Sequence, residues 1–380
     1  MILFLLVYAG IYGGVHVYAF MKLKRGFELG LTANLLLALL MVLMVAAPIL
    51  VRVLEHNNQG ALARGLAYAS FMWMGLLFLF ITTSFFFDIY KFLHYLARNV
   101  SGNLLAHLTL APRGYVLLSI VLSLAILVYG FVEALNIRTE TITIKTDKLP
   151  ANVEKIRIVQ ISDVHLGLIV GKSRLGRMLD KVREARPDML VSTGDLVDGH
   201  MEDPEKLAGM MRNIPTPYGK YAITGNHEFY AGLKHALAFT EKAGFTVLQG
   251  EGMTVKSTLN IAGVDDPARG PYRSEHRLSE KELLQNLPQD KFTLFLKHQP
   301  IISKTSIGLF DLQLSGHTHQ GQIFPFNFMT RLAYRIPSGL TKLGNPTKVY
   351  VSRGTGTWGP PVRFLAPPEV TVVDIVPTPK

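Results

Sequence analysis

Aspartate, histidine and asparagine recur in the second half of this 380-residue chain at spacings that suit metal ligation. The groups are Asp163-Val164-His165, Gly194-Asp195-Leu196-Val197-Asp198, Gly225-Asn226-His227-Glu228, an isolated His298, and Gly316-His317-Thr318-His319. A carboxylate has two oxygens and can bridge two cations. Neutral imidazoles and an amide oxygen complete the coordination without cancelling all the positive charge, and the remainder attracts a phosphate. Two divalent ions held together can orient that phosphate, neutralise it and generate hydroxide near neutral pH. The chain has no cysteine, so no thiolate is available. Mixed nitrogen and oxygen donors suit Mn, Fe, Co or Zn better than Ca or Mg. Each group alone is ordinary. Gly-Asp after a strand is a common turn, Asn tolerates positive φ, and a single histidine usually has a structural partner. The ordered set is what points to a dinuclear centre.

Positioning these groups requires strands. Each group follows a short apolar run: Ile156–Ile161, 189–191, 221–223, Phe292–Leu296 and 312–314. In open α/β sheets, ligands gather beyond the carboxyl ends of strands, so five such ends can meet at one place. Helical spacing over 172–186, 204–214, 231–243 and 279–287 alternates with these runs and predicts an α/β core. Further strand signals lie at 348–353 and 370–375. Gly354-Thr355-Gly356-Thr357-Trp358-Gly359 is glycine-rich but opens no helix; it reads as a turn beside the site or as a purely structural one. The chain carries no internal repeat, low-complexity tract or nucleotide-binding glycine loop.

From residue 156 to the C-terminus the chain resembles the calcineurin-like metallophosphoesterases, whose motifs run D-x-H, GDxxD, GNHE, H and GHTH. It is most similar to a membrane-linked bacterial branch, through Ser162–Gly167, Gly225–Glu228 and Gly316–Pro325. One departure is Gln320, where that branch carries Gly; a side chain there would narrow the pocket next to His319. The resemblance implies a four-layer αββα sandwich and two divalent ions, with manganese favoured over iron, zinc or cobalt. It implies that Asp163, His165 and His319 hold one ion, that Asn226, His298 and His317 hold the other, and that Asp195 bridges them. It implies further that His227 stands over the site without binding metal, holds the phosphate and protonates the leaving oxygen. Asp198 would orient His227, and a bridging hydroxide would attack phosphorus.

Composition adds a second region. Of the residues, 49% are hydrophobic, and the excess is N-terminal. Segments 1–20, 29–51, 65–87 and 114–132 carry no charge and approach or reach the ~20 residues that span a bilayer. Segment 1–20 lacks a positive leading region, which favours an anchor over a cleaved signal. The expectation is an all-α bundle of four transmembrane helices over 1–135, a linker strand over 136–152, and the phosphoesterase domain over 153–380. Residues 92–111 read as an amphipathic surface helix or an ordinary loop helix. Trp73 and the neighbouring aromatics fit an interface belt or core packing equally. Lys22, Lys24 and Arg25 in the first loop, with Lys91, Arg98 and Arg113 in the third, favour a cytoplasmic position for those loops. The enzyme domain would then face outward from a bacterial cytoplasmic membrane.

The net charge of +11 is scattered, and no nucleic-acid motif accompanies it. Membrane lipids and a phosphoester substrate are the expected partners. After GHTH come Ile323-Phe324-Pro325-Phe326, then Phe328-Met329, with Arg331 and Arg335 behind them. These residues suit a flap over a lipid-linked phosphoester, or else the core. A pyrophosphatase of the UDP-diacylglucosamine type and a non-catalytic membrane sensor are the alternatives. The filled ligand set and the His227–Asp198 pair favour an enzyme.

Overall fold

A computed structural model describes residues 6–57, 59–101, 109–268, 278–344 and 346–379. The chain divides into two compact units. One comprises 1–132 with 359–362, and the other comprises 133–358 with 363–380.

The first unit is helical. A π-helical turn, Ala9–Gly13, leads into α1 (Gly14–Phe27), followed by α2 (Leu31–His56), α3 (Gly60–Ser101) and α4 (Pro112–Glu133). Three helices among the described residues, α2, α3 and α4, are long and apolar enough to cross a membrane. The expected span over 1–20 is not among them: residues 1–5 lie outside the description, and α1 is only 14 residues long. Helix α3 absorbs most of the segment expected to form a separate surface or loop helix. No Gly or Pro occurs between Gly75 and Gly102, so nothing breaks the helix there. Its 42 residues correspond to about 63 Å, twice a bilayer core of about 30 Å.

The bundle is apolar on its outside. Val42, Leu43 and Val121 are more than half exposed. Inside, Ala19, Met41, Leu77, Phe80 and Val116 form the core, with Trp73 packed against them. The Trp73 indole donates to Nε2 of buried His16 at 2.9 Å, so this tryptophan belongs to the core.

Among its described residues the second unit holds twelve strands: β1 (Arg138–Thr146), β2 (Ile156–Ile161), β3 (Met189–Ser192), β4 (Lys220–Ala222), β5 (Thr246–Val247), β6 (Glu251–Val255), β7 (Leu259–Gly263), β8 (Phe292–Leu296), β9 (Leu312–Ser315), β10 (Gly339–Lys342), β11 (Lys348–Val351) and β12 (Glu369–Pro377). Its helices are α5 (Lys172–Ala185), α6 (Pro204–Arg212), α7 (Asn226–Ala231), α8 (Leu233–Lys242), α9 (Glu280–Gln285) and α10 (Asn327–Ala333). The strands form two six-stranded sheets, ordered β1-β12-β2-β3-β4-β5 and β10-β11-β9-β8-β7-β6. The strands β2 to β5 run parallel, as do β7, β8, β9 and β11. The expected linker is a full edge strand: β1 pairs with β12 from Arg138↔Glu369 to Thr146↔Pro377.

The sheets face each other across one core. Ile156, Ile158 and Val191 of the first sheet meet Ile261, Leu294 and Leu314 of the second. The outer face of the second sheet offers Phe295, Val349 and Val351, covered by Leu283 and Leu284 of α9. Helix α5 buries Leu175, Met178, Leu179 and Val182. Strands buried on both faces stay rich in apolar residues even where Arg157, Gln160, Thr293 and Gln313 interrupt them, which is why β2, β8 and β9 are legible in the sequence. This is the expected αββα sandwich. It brings the carboxyl ends of β2, β3, β4, β8 and β9 to one edge.

Candidate metal centre

The ligand loops are held in sparsely populated backbone conformations. Asp163, Asp195, His165, His317 and His319 all have φ between 47° and 69°. Non-glycine residues adopt this region at a cost and persist there when the surroundings fix them, commonly at functional sites. A glycine precedes three of the candidate ligands, Asp195, Asn226 and His317. A Cβ on Gly316 would lie 1.9 Å from Ser162 Oγ and 2.2 Å from Asp163 Oδ2. One on Gly225 would lie 2.1 Å from Asp195 Oδ1. Each loop therefore leaves room for the carboxylate of its neighbour.

All seven expected ligand positions come together. Around Asp163, the His319 Nε2 atom lies 3.4 Å from Oδ1, and the two Nε2 atoms of His165 and His319 lie 3.1 Å apart. Around Asp195, Oδ2 lies 3.3 Å from His298 Nε2 and 3.8 Å from His165 Nε2. His298 Nε2 is also 3.1 Å from His317 Nδ1 and 3.3 Å from Asn226 Oδ1. Donor atoms of Asp163, His165 and His319 all lie within 4.8 Å of one another, as do those of Asp195, His298 and His317.

The electrostatics follow from burial. Burial opposes a charge on Asp195, but the imidazoles of His298, His165 and His227 outweigh it and hold the carboxyl well below the usual range. Burial likewise opposes protonation of His298, yet facing Asp195 pushes its imidazole up to about 10. His317 moves the other way, to about 4, through burial and the neighbouring His298. His298 Nδ1 lies 2.8 Å from the Thr193 carbonyl and donates to it, which turns Nε2 toward the centre.

His227 and Asp198 form the expected pair, with Nδ1 2.5 Å from Oδ1. The His227 backbone N–H donates to Asp195 Oδ1 at 2.8 Å. The Asp198 carboxyl is held well below its usual range, because the nearby imidazoles of His165 and His227 outweigh its burial. The His227 ring also packs near Tyr230 and Trp358, both more than half exposed.

Four further residues shape the centre and were not singled out by sequence reasoning. Glu228, fourth in its motif, accepts the N–H groups of Asp195, Leu196, Val197 and Gly225 at 2.7–3.0 Å. Its position at the third residue of a short helix is a sequence signal for a cap. The Ser162 hydroxyl donates to Asp163 Oδ2 at 2.5 Å. Arg363 is fully buried, reaches the carbonyls of Arg353, Gly356 and His319, and lies 3.1 Å from His319 Nδ1. The Tyr334 hydroxyl lies 2.7 Å from His317 Nε2. Arg363 and Tyr334 stand far along the chain in unremarkable local sequence.

Two further features near the centre have a defined geometry. Thr355 and Gly356 donate backbone N–H groups to the carbonyls of Ser162 and Asp163, so the glycine-rich turn lies against the Asp163 loop. Gln320 has φ 51°, a conformation that glycine adopts most easily, and lines a small cavity of about 60 Å³ with Thr318, Thr330 and Tyr334.

Residues 156–321 match the calcineurin-like phosphoesterase domain. A metallophosphoesterase of Aquifex aeolicus is 41% identical over 248 residues, which cover 65% of this chain and 95% of that protein. The chain belongs to the calcineurin-like phosphoesterases. Within this family, a transmembrane protein with metallophosphoesterase domain from Danio rerio is 29% identical over 320 residues, covering 80% of this chain and 72% of its own. The metallophosphoesterase YkuE of Bacillus subtilis is 34% identical over 260 residues, covering 64% and 88%.

The donors of this family member fit two divalent ions. His165 Nδ1 is buried without a hydrogen-bond partner. The imidazole pairs His165–His319 and His298–His317 face nitrogen to nitrogen at 3.1 Å, where at most one proton can sit between them. Nitrogens each about 2.0–2.1 Å from a shared ion stand about 3.0–3.4 Å apart.

Proposed function

We propose that this chain is a membrane-anchored, dinuclear-metal hydrolase of phosphoesters, with a lipid-linked phosphodiester or phosphomonoester as substrate. The observation that carries the reading is the convergence of two donor clusters at one sheet edge, with Asp195 beside both and the His227–Asp198 pair alongside. Asp163, His165 and His319 would hold one ion, Asn226, His298 and His317 the other, and Asp195 would bridge them. When bound, the ions supply charge neutralisation and an activated water, with manganese the favoured metal. His227 holds a proton for the leaving oxygen, and Asp198 fixes the ring that carries it. Strained ligand loops, locked by Glu228 and the close-packed glycines, fix the donors before substrate arrives.

Anchoring is supported by the three long apolar helices and by the transmembrane relative from Danio rerio. A lipid-linked substrate is supported by the exposed apolar residues Phe326, Phe328, Met329 and Leu332, which follow the ligand His319 in the chain. The flap expected over 323–329 is narrower than its sequence implies: Ile323 is buried, and Phe324 is half-buried against Phe328.

Two variants test the assignment of roles. His227→Ala should keep both metals yet lose about 10²–10⁴-fold in turnover, the usual contribution of an acid–base group. Asp195→Ala should lose metal. Metal analysis of both purified proteins decides the matter, and equal metal loss in the two would refute the roles.

A further inference from the structure

The helical unit contains a polar cleft that the phosphoesterase reading leaves unused. Its volume is about 430 Å³, and α1, α3 and α4 line it with Lys22, Arg25, Asp88, Lys91 and Tyr115. Asp88 organises the cleft. Its carboxylate accepts from Lys22 at 2.5 Å, Lys91 at 2.7 Å and the Tyr18 hydroxyl at 2.9 Å. Lys91 also stands over the Tyr115 ring, 5.3 Å from its centroid. Three cations against one carboxylate leave the cleft with surplus positive charge. Among the described residues no carboxylate pairs with Arg25. Pro112, the first residue of α4, lines the same cleft and brings the positive end of that helix dipole to it.

Met21, Phe87 and Val116 line the cleft beside the charges. Farther along the same helices, Phe85 and Phe86 on α3 and Val121 on α4 are half-exposed or more. A ligand with an anionic head and a hydrocarbon tail satisfies both features. Basic clefts between membrane helices characteristically receive phosphate headgroups.

We infer that this cleft binds the phosphate headgroup of an anionic phospholipid. The inference rests on the membrane-anchored reading. The tail lies along α3 and α4, and Arg25 supplies the charge that no protein carboxylate neutralises. Inorganic phosphate shares the head chemistry but gains nothing from the apolar walls.

The test reconstitutes the full chain in phosphatidylcholine vesicles containing a minor share of phosphatidylglycerol. Flotation first reports insertion. The lipid retained after mild detergent extraction then reports selectivity. Phosphatidylglycerol should be enriched over its share in the vesicles. Arg25→Gln with Lys91→Gln should reduce the enrichment on the order of tenfold, with circular dichroism unchanged. Should the double variant misfold, Arg25→Gln alone serves, because that side chain is exposed and supports no ion pair. Asp88→Asn should preserve or raise the enrichment, since it removes the opposing charge and keeps an amide oxygen that can accept from Lys22, Lys91 or Tyr18. Retention of the two lipids in proportion to their supply would overturn the proposal, as would enrichment indifferent to Arg25. Displacement of the lipid by millimolar inorganic phosphate would assign the cleft to free anions instead. Failure to float even with pure phosphatidylcholine would overturn the anchored reading and this proposal with it.

Discussion

His298 is fully buried, and its Nε2 atom lies 3.3 Å from the Asp195 carboxylate. In the metal-free chain that neighbour raises its pKa on folding to about 10, from an ordinary value of about 6.5. A raised pKa contributes stability that is complete below about 6.5 and is lost as pH rises through about 10. Between those values the folded chain binds one more proton at this site than the unfolded chain. Metal-free protein should therefore lose about 1.4 kcal/mol per pH unit in that window from this group. A divalent ion needs the imidazole neutral, so loading at pH 7 releases the proton and removes the slope. Thermal unfolding of chelated and manganese-loaded protein at pH 7 and pH 9 checks this. A chelated protein equally stable at both would contradict it. At this scale the candidate donors were legible because metal chemistry restricts residue type and each lies within a few residues of a strand end. Glu228 was in plain view, but its work is backbone capping across two loops, which becomes visible only when β3 and β4 lie side by side. Tyr334 and Arg363 reach the centre only through tertiary folding, and nothing in their local sequence marks them.

Elements buried on both faces carried the strongest signal. The runs Ile156–Ile161 and Phe292–Leu296 coincide with β2 and β8. Hairpin strands β6 and β7 were not anticipated: β6 is half-exposed, and β7 carries buried Asn260, whose amide bonds Pro288 and Thr293. The two-residue β5 is too short for any periodicity. Helix α10 was missed as well. None of its seven residues is buried, so it lacks the core-facing stripe by which helices are recognised. That absence gives it a test. Phe328 is 54% exposed and Leu332 81%. If they meet a lipid tail, Phe328→Ser with Leu332→Ser should lower activity on a lipid phosphoester in mixed micelles by tenfold or more, since burying each such side chain contributes about 1.5–3 kcal/mol. Activity on a small soluble diester should hold, because no ligand changes. A variant that loses both activities, with a lowered unfolding temperature, would mean these side chains serve the fold.

At the scale of the whole molecule, a basic, cysteine-free chain joins an apolar helical unit to a phosphoesterase sandwich. We propose that the basic ends of α1 (Lys22, Lys24, Arg25) and α3 (Lys91, Arg98), with Arg113 at the start of α4, face the cytoplasm, which would direct the sandwich outward if four segments cross the bilayer. The lack of cysteine makes this measurable with a single introduced thiol. Lys304→Cys, on an exposed turn of the sandwich, should react with a membrane-impermeant maleimide added to intact cells. Labelling only after lysis would reverse the orientation. The central claim is that the two donor clusters make a metal-dependent phosphoesterase, and one assay meets it directly: hydrolysis of an aryl phosphodiester by the purified full chain, before and after thorough chelation, and again after manganese is restored. The account predicts that chelation abolishes turnover and that manganese returns it. Undiminished hydrolysis by the chelated protein would contradict the account at its root.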